Sequence, residues 1–229
     1  IADGAKLHIG VIAGFIFLRI DMLMLEYYRQ AQSVGFYSIA VSLSGLLILI
    51  PMATQKVFYS KISGLIDDKT DMAEKTIQVY KHALLPSVFT ALLLVLLAKP
   101  LINIFYGNQF LPALAPFLIL LPGVFFLWQN NILAYFLIGA KKLLLISSVA
   151  AFNSLLNVAL NMILIPKYDS VGAAYSSLIT YILVGLANLI LFVRISKIGF
   201  KGFIKKLKVT KDDILFYKIL FIKFFSLGN

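Results

Sequence analysis

The sequence has no cysteine and only two histidines, and these shortages exclude several kinds of site. Without cysteine the chain forms neither disulfides nor thiolate metal sites, while its redox compartment stays undetermined. His8 and His82 are too far apart in sequence to make a local metal pair, so we expect no metal site. No glycine-rich loop ends in Gly-Lys-Ser/Thr, which argues against ATP hydrolysis, and we expect no cofactor.

Charged residues are also scarce, at 14% of the chain, whereas hydrophobic residues make up 61% and the mean hydropathy is +0.93. Ordinary globular domains contain about 45–50% apolar residues. Long uncharged runs separate short charged segments, which predicts membrane spans. No segment alternates with period two, and an open sheet cannot satisfy its backbone in lipid. The sequence therefore predicts an all-α, polytopic membrane protein.

Six candidate spans make up the first predicted domain, a six-helix transmembrane lobe over residues 1–193. The third span is the weakest because Pro86 and Pro100 bound it, although Asp71-Met-Ala-Glu74 could cap a helix that runs through Lys81 into it. Pro51 and Pro122-Gly123 predict bends inside spans two and four. The spans are about Leu7–Leu25, Val34–Phe58, Ala83–Leu101, Ala113–Ile138, Leu143–Ile165 and Gly172–Val193.

The net charge of +11 follows the positive-inside rule if the N-terminus of this chain and its C-terminal tail are cytoplasmic. The outer loops then hold only Arg29, Lys99 and Lys167 of the 21 basic residues. No soluble basic domain is predicted, so nucleic acid is not an expected partner. The chain begins at Ile1, and its first apolar run lacks a basic leader region, so we expect a longer protein.

Residues 194–229 form the second predicted domain, a basic amphipathic tail at the cytoplasmic face. Lysines recur there at helical spacing beside an apolar stripe, which is typical of a helix lying on a membrane. The terminal Ile214–Phe225 run is short and interrupted by lysines, so we interpret it as interfacial too. The lysines are Lys197, Lys201, Lys205 and Lys208, and the stripe is Phe200, Phe203, Ile204 and Leu207.

Arg19 and Asp21 are charges inside the first apolar run, where each costs about 2.5–3.5 kcal/mol on insertion scales. Asp21 shares a face with Gly10 and Gly14, so we expect its side chain to point at protein. Arg19 lies about 200° away and shares a face with Phe15, Leu23 and Glu26. That face is expected to border a cavity; the alternative is that Arg19 snorkels roughly 9 Å to the outer interface.

Two groups of amides lie at membrane depth. Asn153, Asn157 and Asn161 recur at four-residue intervals in span five, and Gln129, Asn130 and Asn131 follow the predicted bend in span four. Such side chains either join neighbouring helices, at about 0.6–2 kcal/mol per contact, or line a polar path. The candidate substrate-binding residues are Arg19, Asp21, Asn130, Asn153 and Asn157.

Several stretches in order resemble the second half of bacterial polysaccharide (oligosaccharide-lipid) flippases, of the superfamily that includes multidrug and toxin extruders. The resemblance covers about residues 7–193, and Phe58-Tyr59-Ser60-Lys-Ile-Ser63 departs from it where such proteins often have a proline before the last serine. The stretches are Arg19-Ile-Asp21-Met-Leu, Ser33-Val-Gly35-Phe-Tyr37-Ser-Ile-Ala40, Lys99-Pro-Leu-Ile-Asn-Ile-Phe-Tyr-Gly107-Asn-Gln-Phe110, Asn153 to Asn157, Leu164-Ile-Pro166-Lys-Tyr and Gly172-Ala-Ala174.

The resemblance implies a six-helix lobe that faces a second, N-terminal lobe of the same chain across a cavity in the bacterial cytoplasmic (inner) membrane. The implied cargo is an undecaprenyl-diphosphate-linked oligosaccharide, with membrane lipid as the other partner and no enzymatic activity. Arg19 would offset the diphosphate or an acidic sugar. Asp21 would hold the neighbours of the arginine or bind a coupling cation.

Three alternatives to this function remain open. A cation-coupled drug exporter of the same superfamily would favour a more aromatic and acidic pocket. A glycan polymerase or ligase would need a large outer loop with reactive residues, and the longest outer loop, near Lys99–Pro112, is small for that role. A non-transporting membrane scaffold is the third alternative.

Overall fold

The computed structural model describes residues 19–53, 69–208, 210 and 213. Within those residues the regular structure is entirely helical, which confirms the all-α prediction there. Two short 3₁₀ segments, Leu46–Ile48 and Asn108–Ala113, lie between α-helical segments. The α-helices are α1 Ile20–Tyr28, α2 Ala31–Gly45, α3 Lys69–Phe105, α4 Leu114–Gly139, α5 Leu143–Ile195 and α6 Gly199–Lys206.

Four helical segments in the described ranges are long and apolar enough to cross a membrane: Ala31–Ala53, Thr70–Phe105, Asn108–Gly139 and Leu143–Ile195. The chain is therefore a multi-pass membrane protein. Of the first predicted span, only the part from Arg19 onward is described, and it continues as α1. Gly10, Gly14, Phe15 and the segment Phe58–Ser63 lie outside the described residues, so the six-span count stays a prediction.

Helix α3 is longer than the sequence indicated. It runs without interruption from Lys69 to Phe105 and contains both Pro86 and Pro100. The prediction that these prolines bound the third span is wrong, because a spanning helix tolerates proline where neighbouring groups satisfy the freed backbone. The predicted continuation through Lys81 is confirmed. At the start of α3, Lys75 and Asp71 form an ion pair of 3.0 Å one turn apart.

Helix α5 contains 53 residues and folds back on itself at Asp169, so each arm is about 39 Å long at 1.5 Å per residue. Asp169 has φ 58° and ψ −137°, a conformation that ends a helix. The N-terminal arm, 143–168, and the C-terminal arm, 170–195, then lie side by side, and Asn157 Nδ2 donates to Thr180 Oγ1 over 3.2 Å. The two arms contain the fifth and sixth predicted spans.

The hairpin tip of α5 depends on a glycine and an arginine. A Cβ atom at Gly172 would overlap the carbonyl oxygen of Leu164, so the arms approach too closely for any side chain there. Arg29, which follows α1, donates to the carbonyl oxygens of Ile165 and Pro166. Carbonyls at a helix end lack intrahelical donors, and the guanidinium supplies them.

The buried residues form two clusters, one toward each end of the helices. The cluster nearer the α5 tip includes Leu25, Tyr37 and Phe117. The other cluster, at the connection between α4 and α5, includes Met72, Leu133 and Phe192. Arg29 and the α5 tip thus lie at one end, and Lys141 and α6 lie at the other. Which end faces the cytoplasm stays a prediction.

The described helix of the tail, α6, packs against α3 and α5. Phe203 of α6 is buried, with its ring 5.4 Å from Tyr80 and 5.9 Å from Phe192. Lys206 Nζ lies 2.8 Å from Glu74 Oε1. The predicted tail helix is therefore confirmed for Gly199–Lys206, but Phe203 faces protein and not a membrane surface. Ile214–Phe225 lies outside the described residues, and the domain boundary at residue 194 stays a prediction.

Candidate functional site

A cavity of 460 Å³ opens between α1, α2, α4 and the C-terminal arm of α5. Its polar lining includes Ser42 and Ser44 from α2, Tyr181 from α5 and Arg19 at the start of α1. Trp128 of α4 adds a large aromatic surface, and leucines and valines complete the walls. Arg19 is the one charged side chain among the described lining residues. The cavity is thus an apolar cleft with a single positive charge.

Helix α1 presents Arg19 on an exposed face. Arg19, Leu23 and Glu26 are all exposed in this chain, and Leu23 is 57% exposed. The helical period predicted that these three residues share one face of the helix, and their common exposure agrees with it. The guanidinium of Arg19 donates to Met22 Sδ over 3.4 Å, a weak acceptor, and its other donors have no partner among the described residues. The group can therefore bind an anion that enters the cavity.

Asp21 lies in a buried cluster beside this cavity and is 3% exposed. Tyr37 of α2 donates its hydroxyl to Asp21 Oδ2, and Ser177 of α5 donates to the same oxygen over 3.3 Å. The backbone N–H of Met22 donates to Asp21 Oδ1 over 2.9 Å. The expectation that Asp21 points at protein is confirmed. The carboxyl joins three helices and fixes the part of α1 that carries Arg19.

The asparagines of the N-terminal arm lie inside the α5 hairpin. Asn157 donates to Thr180 of the other arm, and Asn161 Nδ2 donates to Asn157 Oδ1 over 2.9 Å. Asn153 Nδ2 donates to the carbonyl of Val149 in its own helix, over 3.0 Å. All three are buried and none lines the cavity that contains Arg19. Of these bonds, the one between Asn157 and Thr180 joins the two arms, while the other two lie within the N-terminal arm. A role of the asparagines in substrate binding stays a prediction.

The second amide group has a similar arrangement. Gln129 Nε2 donates to the carbonyl of Tyr80 over 2.7 Å and so joins α4 to α3. Asn130 Nδ2 donates to the carbonyl of Phe126, one turn earlier in α4, over 2.9 Å. Asn130 is fully buried and does not line the cavity. Its contact with substrate likewise stays a prediction.

Sequence reasoning missed several residues of this region. Tyr37 belongs to one of the motifs that carried the resemblance, but nothing in its spacing indicated a bond to Asp21. Trp128, the single tryptophan of the chain, precedes the amide group and could have been singled out for its size. Ser177 and Tyr181 lie four residues apart and thus share a helical face. Within the described ranges no group of three His, Asp or Glu could hold a metal ion.

Comparison with known proteins agrees with the motifs. The family model described as polysaccharide biosynthesis protein matches residues 3–115, just under half of the chain. This match confirms the predicted resemblance to polysaccharide flippase-type proteins. An uncharacterized membrane protein of Methanocaldococcus jannaschii is 24% identical over 181 residues, which cover 78% of this chain and 36% of the relative. The chain thus spans about a third of that relative. No solved structure matches.

Proposed function

We propose that this chain forms one lobe of a flippase that moves undecaprenyl-diphosphate-linked oligosaccharides across the cytoplasmic membrane, from the inner to the outer leaflet. The family match supports a role in polysaccharide biosynthesis. The multi-pass helical architecture supports a membrane function rather than a soluble one. The N-terminal lobe of the same chain is the proposed partner across the cavity.

The observation that carries this proposal is the position of Arg19 as the one charged residue among the described residues that line the cavity. A guanidinium binds a phosphate through paired hydrogen bonds, and its attraction for the phosphate is stronger in a low-dielectric cleft than in water. The apolar walls suit the first part of a lipid carrier next to its diphosphate. Asp21 acts in this scheme as a positioning residue, because its bonds to Tyr37 and Ser177 hold the helix that presents Arg19.

A drug exporter of the same superfamily is the alternative within transport. An exporter of cationic drugs would gain from a carboxylate in the pocket, since opposite charges attract most strongly where water is excluded. The described lining of the cavity contains Arg19 and no carboxylate. The positive charge favours an anionic cargo over a cationic one.

The test is Arg19→Ala in the whole protein, with surface polysaccharide measured in the producing cell. Loss of a charge-assisted hydrogen bond worth about 1.5–3 kcal/mol should reduce export about tenfold to a hundredfold. Arg19→Lys should keep part of the activity, and Arg194→Ala, at the exposed end of α5, is the matched control. Export by Arg19→Ala at the wild-type rate, at equal protein level, would contradict the proposal. Arg19-dependent efflux of ethidium without glycan export would favour the drug exporter.

A further inference from the structure

A second, larger cleft lies at the opposite side of the Asp21 cluster, at the end of the helices that contains the α5 tip. Its volume is 770 Å³, within the range of about 300–1,000 Å³ that is typical of small-molecule sites. Three tyrosines, Tyr27, Tyr28 and Tyr168, line it together with Gln30 and Gln32. By the predicted orientation this end faces outward. We propose that this cleft binds the neutral sugars of the glycan cargo, an inference that rests on the proposed function.

The charged groups of the cleft are already engaged by protein. Arg29 donates to the carbonyl oxygens of Ile165 and Pro166, and Asp169 Oδ2 accepts a hydrogen bond of 2.9 Å from Ser33 Oγ. These bonds hold the hairpin tip against the start of α2. A diphosphate or a phospholipid headgroup would be bound best by a free cation, and Arg29 Nε and Nη2 already donate to carbonyls of the hairpin. The cleft therefore fits an uncharged ligand.

The remaining chemistry matches a carbohydrate. A sugar ring presents apolar C–H faces and a rim of hydroxyls, and exposed aromatic rings supply a flat surface with a negative π face for the C–H groups. Tyr27 is 83% exposed and Tyr168 is 56% exposed, so both offer such a surface. The amides of Gln30 and Gln32, which are also exposed, both donate and accept hydrogen bonds. One site thus combines stacking surfaces with hydroxyl partners.

The direction in which the tyrosines of this cleft face distinguishes them from tyrosines that anchor a protein at the membrane interface. Tyrosines that anchor a protein in the headgroup region point outward into lipid. Here Tyr27 and Tyr28 lie with their rings 5.0 Å apart and nearly perpendicular, and face a concave surface that also contains glutamines. Tyr106 is at the same end of the helices, on the far side of Phe110, and does not line the cleft. It provides a matched control.

The test is binding of free, lipid-less sugars to the whole protein in phosphatidylcholine nanodiscs. Maltotriose and triacetylchitotriose serve as neutral probes, and saturation-transfer NMR measures their contact with the protein. We expect Tyr168→Ala and the pair Gln30→Ala with Gln32→Ala to raise the Kd of a bound probe about tenfold each, the equivalent of 1.4 kcal/mol. Tyr168→Trp keeps a stacking face and should keep binding, and Tyr106→Ala should bind as the wild type does.

Two outcomes would overturn the inference. One is that neither probe receives saturation from the wild-type protein beyond that seen with empty nanodiscs. The other is that Tyr106→Ala weakens binding as much as Tyr168→Ala, which would assign the tyrosines to the membrane interface. Both outcomes leave the effect of Arg19→Ala on export untouched. Conversely, normal export by Arg19→Ala with intact sugar binding would contradict the proposed role of Arg19 in the cavity and leave sugar binding by the second cleft standing.

Discussion

Tyr37 donates its hydroxyl to the carboxyl of Asp21, and this one bond joins α2 to α1 beside the cavity that Arg19 lines. Both side chains are buried, and Ser177 completes the cluster from α5. A buried polar cluster of this kind stabilises the fold only while every member is present. Removal of one member leaves its partner buried without a hydrogen bond, which costs free energy. The geometry of the proposed site therefore depends on a residue that does not touch the cargo.

Tyr37→Phe should lower the free energy of unfolding by about 1–3 kcal/mol, because it removes one donor from a buried carboxyl and leaves the ring in place. Equilibrium unfolding in mixed micelles measures the change. Tyr27→Phe, at an 83% exposed tyrosine, is the control and should have little effect. In an Asp21→Ala background the cost of Tyr37→Phe should shrink. An equal cost in both backgrounds would show that the two side chains are not coupled.

Gly172→Ala should destabilise the protein by about 3 kcal/mol, the upper end of the usual overpacking cost, since the new Cβ overlaps the backbone of Leu164 and backbone cannot move aside as a side chain can. The same unfolding measurement applies, together with the yield of folded protein in detergent. Gly45→Ala is the matched control because nothing lies within 4 Å of its Cβ position. It should be neutral or stabilise by up to about 1 kcal/mol. A normal yield and stability for Gly172→Ala would contradict the close packing of the two arms.

Phe203→Ala should release α6 from the helices, because it removes a buried ring that contacts both Tyr80 and Phe192. Truncation of a buried phenylalanine costs about 3–5 kcal/mol, and we expect the cost to appear locally as faster trypsin cleavage after Lys205 and Lys206. Phe200→Ala, in the same helix but 58% exposed, should cleave at the wild-type rate. Equal cleavage of the two variants would mean that α6 is not anchored by Phe203.

The contact between the tail and α3 should weaken in acid. Lys81 Nζ lies 2.6 Å from Asp213 Oδ2, and this hydrogen bond holds the pKa of the Asp213 carboxyl well below its ordinary value of 3.8. When the tail is released, the Asp213 carboxyl returns to its ordinary pKa and binds a proton more readily. The contact therefore contributes its full stability above about pH 4 and loses it as the pH falls further. Tail release, followed by a spin label at residue 210, should therefore rise at low pH.

Asp213→Asn should remove this dependence and release the tail to a similar extent at every pH. Lys75, which pairs with Asp71 at the exposed start of α3, provides the control. Lys75→Met should leave the response to acid unchanged. A tail that stays bound in acid in the wild-type protein, or an unaltered response in Asp213→Asn, would contradict the role of this ion pair.

The helices and the inward direction of Asp21 followed from the sequence because both depend on local periodicity. A run of apolar residues at bilayer length predicts a span, and 100° per residue places Asp21 opposite the Arg19 face. The partners of Asp21 did not follow, since Ser177 is 156 residues away and its choice depends on how three helices pack. Proline positions misled for the same reason: whether Pro86 and Pro100 end a helix is decided by tertiary surroundings.

The asparagines illustrate the limit of pattern alone. Their four-residue spacing placed Asn153, Asn157 and Asn161 on one face, and the structure confirms that they share the interior of the hairpin. The pattern favoured bonds between helices but was also compatible with a polar path. The arrangement of the opposing arm, which brings Thr180 to Asn157, does not follow from that spacing.

The turn at Asp169 gives α5 a mechanical property. One non-helical residue separates the two arms, and Gly172 packs directly against Leu164. Arg29, which follows α1, and Ser33 of α2 donate hydrogen bonds to the tip. Because these contacts tie both arms to the tip, we expect that neither arm moves along its axis without the other. If the helices rearrange during transport, we expect the two arms to move as one unit together with α1 and the start of α2.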